Sequence, residues 1–201
     1  MMSALQKNFG QTPSQTVGPY FAYGLTGSQY LYDFNQPFDD VVAFEHAQGE
    51  HIVLEGVVYD ADGKLIPDAM IEISQPDGAG TYPQSVADAK ARGFRAFGRM
   101  GTGTDAQNRF VFRTVKPAAS SAGEAPHINV IVLMRGMLLH AFTRVYFSDE
   151  AAANAQDAVL QSVPAERRGT LVAQRGEAGG RVVYRFDIRM QGPQETVFFD
   201  V

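Results

Sequence analysis

His127 and Asn129 lie two residues apart in Pro126-His127-Ile128-Asn129, at the head of the apolar run His127 to Met134. If that run is a strand, residues two apart share a face, so the two side chains are neighbours. A second imidazole at position 129 would complete a His-x-His chelate for a transition metal. The amide that stands there is a poor ligand for a hard, highly charged ion. The pattern is that of a metal scaffold with its site dismantled.

Two further segments carry groups that can recognise a ligand. Thr12-Pro13-Ser14-Gln15-Thr16-Val17-Gly18-Pro19-Tyr20 combines two prolines that fix φ, a glycine that permits close approach, and several hydroxyls. It reads either as a surface-hugging arm or as a lining for a pocket. Arg135 follows the apolar run and precedes Gly136. An arginine at a strand end beside a glycine can grip a carboxylate bidentately, or can form a structural ion pair.

Other constellations carry less. Asp60-x-Asp62-Gly63 starts like a calcium loop but lacks the later acidic ligands, so it reads as a hairpin turn. Gly98-x-x-Gly101-x-Gly103 has no strand–helix context for a phosphate cradle and reads as a loop. The GxSxG elbow is absent, and His46, His51 and His140 are scattered, which gives no nucleophile–base pair.

Composition narrows the function classes. The 201 residues fit one domain, or one domain with extensions, and contain no cysteine. Disulfides, thiolate metal sites and cysteine nucleophiles are therefore excluded. A formal net charge of -5, with no basic run beyond Arg167-Arg168, argues against nucleic acid as a partner. The segment Met1 to Lys7 lacks the apolar core of a signal peptide, and Val130 to Met134 is too short to span a bilayer. A globular protein of the cytoplasm, with no membrane contact, is the expectation.

The elements that must position these residues are mostly strands. Before Gly49 there is little periodicity but many aromatics, among them Phe9, Tyr20, Tyr23, Tyr30, Tyr32, Phe34 and Phe38. Disordered tails are poor in aromatics, so residues 1–49 are expected to form an ordered arm that packs on its own core or on a partner. Residues 50–201 are expected to form the main domain. Strands are predicted at 52–59, 69–74, 108–115, 127–134, about 140–147 and 181–190. One helix is predicted from Ser148 or Asp149 through 151–161, and a short one near 85–92. Many short strands separated by Gly/Pro turns favour a mainly β fold, an antiparallel β-sandwich.

These segments together resemble the intradiol ring-cleaving dioxygenases. The resemblance rests on Thr12 to Thr16 with Gly18-Pro19-Tyr20, Gly49-Glu50-His51-Ile52, Val58-Tyr59-Asp60 and Thr114-Val115-Lys116-Pro117. It continues through Ala125 to Asn129, Thr143 to Phe147, Tyr184 to Arg189 and Glu195 to Asp200. It covers nearly the whole chain, and the order and number of the motifs make it specific. In the two-chain members of this family, a beta chain holds ferric iron through two tyrosines and a His-x-His pair, while an alpha chain does not. Here the pair survives as His127-x-Asn129, and no tyrosine occurs between Tyr82 and Tyr146. Ser120 stands roughly where one tyrosine ligand would be. The resemblance implies a vestigial metal site at Ser120, His127 and Asn129, no catalytic residue on this chain, and Fe(III) on a partner beta chain in an obligate hetero-oligomer. It implies further that Thr16, Gly18, Pro19, Tyr20 and Arg135 line the shared pocket. The reaction implied is cleavage of 3,4-dihydroxybenzoate by O2 between its two hydroxyl-bearing carbons, in aromatic catabolism through the beta-ketoadipate pathway.

Two other readings compete. A stand-alone metalloenzyme is opposed by Asn129 and the missing tyrosines. A binding or structural β-sandwich derived from the same family, without enzymatic activity, would account equally for the absent metal ligands.

Overall fold

The computed structural model describes residues 11–200 except Pro19 and Phe34. Among the described residues the chain is mainly β, with nine strands: β1 (His51–Tyr59), β2 (Met70–Ser74), β3 (Phe97–Gly101), β4 (Arg109–Val115), β5 (His127–Leu133), β6 (Ala141–Phe147), β7 (Val172–Ala178), β8 (Arg181–Arg185) and β9 (Ile188–Arg189). They form one hydrogen-bonded path, β3-β2-β5-β6-β7-β8-β1-β4, with β9 added beside β1. The end strands approach each other, where the Val111 N–H points to Met100 Sδ at 3.1 Å, so the sheet is nearly closed.

The expectation of a purely antiparallel sandwich is corrected at three places. β1 runs parallel to both β8 and β9, and β6 runs parallel to β7. The predicted strand 181–190 is split for a local reason. At Phe186 the chain crosses so close to β1 that a Cβ on Gly56 would lie 1.7 Å from the Phe186 carbonyl oxygen. There Phe186 N donates to Glu55 O, and the Asp187 carboxylate accepts from Val57 N, a side chain taking over from the backbone ladder. Only glycine admits that approach.

Alternation places the core. On β4, Phe110, Phe112 and Thr114 are buried while Arg113 is exposed. On β5, Ile128, Val130 and Val132 point into the same core, with Leu54, Ile71, Ile73, Val145, Phe147 and Tyr184. A second, smaller cluster of Ala125, Tyr146, Leu160, Val163 and Leu171 covers the other face of the β5–β6 pair. Packing on the second face buries Tyr146 and leaves Ile131 and Leu133 only partly covered.

The four α-helices among the described residues are short: α1 (Phe21–Leu25), α2 (Val86–Arg92), α3 (Ala151–Asn154) and α4 (Ala158–Ser162). The short helix expected near 85–92 is α2, which Ser85 caps by accepting from Asp88 N. The single helix predicted over 151–161 is instead two, because Asp157 leaves the first helix to cap the second at Leu160 N. Ser148 is not a cap; its Oγ accepts from Arg175 N on β7. Within the aromatic stretch, Val42, Ala43 and Ala47 join the main core, and Phe38 packs on Phe97 at 4.7 Å between ring centroids. No helix among the described residues is long and apolar enough to cross a membrane.

Candidate functional site

The β5–β6 register sets His127 opposite Tyr146 and Asn129 opposite Arg144, with Ser74 of β2 on the other side of Asn129. Ile128 and Val130 face the main core, so His127 and Asn129 share the opposite face, as the two-residue spacing requires.

His127 is 8% exposed, and its ring packs on Tyr146 at 5.7 Å between centroids. Its Nδ1 lies 2.9 Å from the Ala125 carbonyl oxygen, which can only accept, so Nδ1 carries the proton and Nε2 the lone pair. Burial holds the imidazole pKa below its ordinary value, and the positive Arg144 adds to this against the Ala125 hydrogen bond. His127 is therefore a neutral imidazole at pH 7.

Tyr146 donates to Asp157 Oδ1 at 3.0 Å, and burial foremost pushes its hydroxyl up to about 12. Asp157, 1% exposed, also accepts from Ala125 N and Leu160 N at 2.8 Å each. Burial alone would raise its pKa; the backbone hydrogen bonds lead the effects that bring it below the ordinary carboxylate value. Tyr82 lies in the fields of Glu124 and Arg144, with burial the main cause of its raised pKa. Ser120 is exposed on the preceding loop and donates to Glu124 Oε2 at 3.0 Å.

This donor set does not suit a ferric ion. The amide oxygen of Asn129 is neutral, the Tyr146 hydroxyl is engaged with Asp157, and Ser120 is engaged with Glu124. The residue opposite Asn129 is a guanidinium. Asn129 Oδ1 and Arg144 Nη1 are both buried without a hydrogen-bond partner. No group of three His, Cys, Asp or Glu suited to a metal occurs among the described residues.

The other predicted residues gather elsewhere. Arg135 lies eight residues beyond His127, or about 26 Å along an extended strand. Its Nε donates to Asp68 Oδ2 at 2.5 Å, and its side chain is 57% exposed. The adjacent Gly136, at φ +88°, donates its N–H to Thr16 Oγ1 at 2.7 Å. Thr16 is thus fastened to the turn that carries Arg135, just beyond the end of β5. Gly18 accepts from Phe21 N at the start of α1, and a Cβ there would meet nothing within 4 Å. Tyr20 is 77% exposed, and its ring tilts against Tyr23, which meets Tyr30. Tyr30 lies in the field of Asp68, the Arg135 partner, with burial the main cause of its raised pKa. Pro19 lies outside the described residues. Leu138 and Leu139 stand exposed at the β5–β6 turn.

Sequence reasoning missed Asp68, Arg144 and Asp157. Asp157 had a readable signal, since Asp three residues before Leu160 in a helical run is a cap pattern. Arg144 required the strand register. Of the weaker motifs, Asp60 Oδ1 accepts from Asp62 N and Lys64 N, which makes the segment a turn. The glycine-rich Gly98 to Gly101 is not a loop but part of β3, where a Cβ on Gly98 would lie 2.6 Å from Val42 Cγ2.

Comparison with known proteins adds the family. The family described as Dioxygenase matches residues 25–192. The chain is 65% identical over 192 residues to the protocatechuate 3,4-dioxygenase alpha chain of Burkholderia cepacia, covering 95% of this chain and 98% of that one. It is 30% identical over 161 residues to the protocatechuate 3,4-dioxygenase beta chain of the same organism, covering 74% and 67%. Among solved structures, the dioxygenase domain of a dioxygenase–carbohydrate-binding fusion from Streptomyces sp. SirexAA-E superposes with a TM-score of 0.61 at 22% identity, covering 94% of this chain and all of that one.

Proposed function

The chain belongs to the intradiol dioxygenase family, and we propose that it is the non-iron-binding alpha subunit of a protocatechuate 3,4-dioxygenase. The observation that carries this reading is the pairing of 65% identity to an alpha chain over 95% of this chain with a His127–Asn129 face that offers a neutral amide and a guanidinium where the family's metal chemistry needs anionic or imidazole donors. The partner is a beta chain homologous to this one, which supplies the ferric iron. That iron, when bound, supplies the oxygen chemistry that opens the ring of 3,4-dihydroxybenzoate to 3-carboxy-cis,cis-muconate. A cytoplasmic location is part of the same proposal.

This chain binds, orients and excludes water. The substrate carries a carboxylate at pH 7; Arg135 is assigned to supply positive potential towards it, and Thr16, Gly18, Pro19 and Tyr20 are assigned to the pocket lining, with the Thr16–Gly136 hydrogen bond in support. Asp68 engages only Nε of Arg135; neither Nη has a hydrogen-bond partner among the described residues. A carboxylate can therefore be met by the free face of the guanidinium without displacing Asp68. The exposed Tyr20, Leu138 and Leu139 supply apolar surface that contact with the partner would bury.

Co-expression with an iron-bearing beta chain tests the reading. Protocatechuate-dependent oxygen uptake is expected only when both chains are present, with iron and visible absorbance confined to the partner. One tightly bound iron on this chain in the absence of any partner overturns it. A stable co-complex with no activity would favour the structural-module alternative.

A further inference from the structure

We infer that the guanidinium of Arg144 takes the place of a metal ion on the outer face of β5 and β6, and is the group that keeps metal ions out of this chain. The misfit between this face and a ferric ion is usually a matter of missing ligands. Here the position also contains a replacement charge. Arg144 stands directly opposite Asn129, the residue at which the chelating pair is broken. Its charge acts on Tyr82 from the loop before α2, on His127 of β5 and on Tyr146 of β6. Its charge therefore reaches the imidazole of the broken chelating pair as well as the phenols of Tyr82 and Tyr146. The surrounding carboxylates are already engaged: Glu124 by Ser120, and Asp157 by Tyr146, Ala125 and Leu160.

Arg144 Nη1 is buried without a partner, and so is Asn129 Oδ1 across the strand pair. A guanidinium with an unused, dehydrated donor is less well screened than one in water, so its repulsion of a second cation is stronger. A metal ion arriving at Nε2 of His127 would have to approach this charge. The inference concerns the chain's own donor set and not its activity, so it can fail while the subunit assignment stands.

Zinc affinity provides the test, because a His-x-His pair on a strand chelates Zn2+ without help from tyrosines. Three variants of the full chain are titrated by calorimetry, with the natural chain as background: Asn129→His, Asn129→His/Arg144→Gln and Asn129→His/Arg144→Lys. Circular dichroism confirms folding, and Arg144→Met replaces Arg144→Gln if the latter unfolds. The neutral double variant is expected to bind Zn2+ at least tenfold more tightly than Asn129→His alone, and the lysine variant is expected to stay as weak as the single one. Equal affinity in the single and neutral double variants overturns the inference, as does absence of binding in the neutral double variant. Tight binding by the lysine variant also overturns it, since charge would then not be the barrier.

Discussion

Thr16 and Gly136, 120 residues apart in sequence, are joined by a 2.7 Å hydrogen bond from the Gly136 N–H to the threonine hydroxyl. This bond fastens the N-terminal segment to the turn that carries Arg135. It fixes two pieces of chain that the proposed pocket needs side by side. Thr16→Val keeps the shape and removes the acceptor. Because the site is exposed, folding stability should change by less than about 1 kcal/mol. KM for protocatechuate in the assembled enzyme should nevertheless rise several-fold while iron content stays constant. An unchanged KM would show that the fastening has no bearing on the pocket.

Arg135 separates electrostatic from structural roles. Its pair with Asp68 is exposed, and such pairs contribute about 0–1 kcal/mol. Loss of fold is therefore not expected in Arg135→Met. Protocatechuate kcat/KM should fall about tenfold or more, a loss of roughly 1.4 kcal/mol in transition-state stabilisation. Catechol, which has no carboxylate, should be affected much less. Asp68→Asn should move protocatechuate kcat/KM the opposite way, since it removes a competing negative charge. Equal losses for both substrates in Arg135→Met would assign the residue to structure.

Truncation can isolate the arm if the cut respects the core. Removing residues up to 44 would take Val42 and Ala43 out of the main cluster and confound assembly with folding. Removing residues 1–20 takes Thr16 to Tyr20 and leaves that cluster whole. The truncated chain should keep its far-UV spectrum and lose most of its affinity for the beta chain in size-exclusion or pull-down assays. Full-strength assembly and normal turnover by the truncated chain would remove the arm from the proposed interface.

Strand positions with strong apolar alternation were legible from sequence: β1, β2, β4, β5 and β6 match their predicted spans within two residues at each end. β3 was hidden because Gly98 and Gly101 give it the composition of a loop, and the reason for Gly98 is a contact with Val42 that only the folded chain reveals. β7 was hidden because five of its seven residues are exposed, which leaves no apolar period to read. At the site, the His127–Asn129 face follows from the period of a strand. Arg144 does not, because which residue faces Asn129 is a property of register, set by the β5–β6 pairing as a whole. The Arg135–Asp68 pair likewise joins residues 67 apart in sequence that no local pattern connects.

Asp157 should control the acid limb of stability. Its carboxylate accepts from Ala125 N, Leu160 N and Tyr146 OH, and so ties the 118–126 loop, α4 and β6 into the second cluster. The folded pKa is depressed below that of the unfolded chain. A depressed carboxyl stabilises fully above the unfolded value of about 4, and that contribution is lost as pH falls through the folded pKa. Asp157→Asn removes the charge and one of the two acceptor oxygens, leaving buried donors short of a partner. It should destabilise the chain by about 2–4 kcal/mol at pH 7. It should also flatten the decline as pH falls below about 4, because a carboxyl with a depressed folded pKa is gone. Tyr146→Phe, which leaves the carboxylate and both backbone bonds in place, should cost only about 1–2 kcal/mol. Urea unfolding of the natural chain and both variants at pH 7 and at pH 3 measures all of this. If Asp157→Asn lost as much stability on acidification as the natural chain, the acid limb would belong to other carboxylates, with Asp149 beside Lys116 the first to examine.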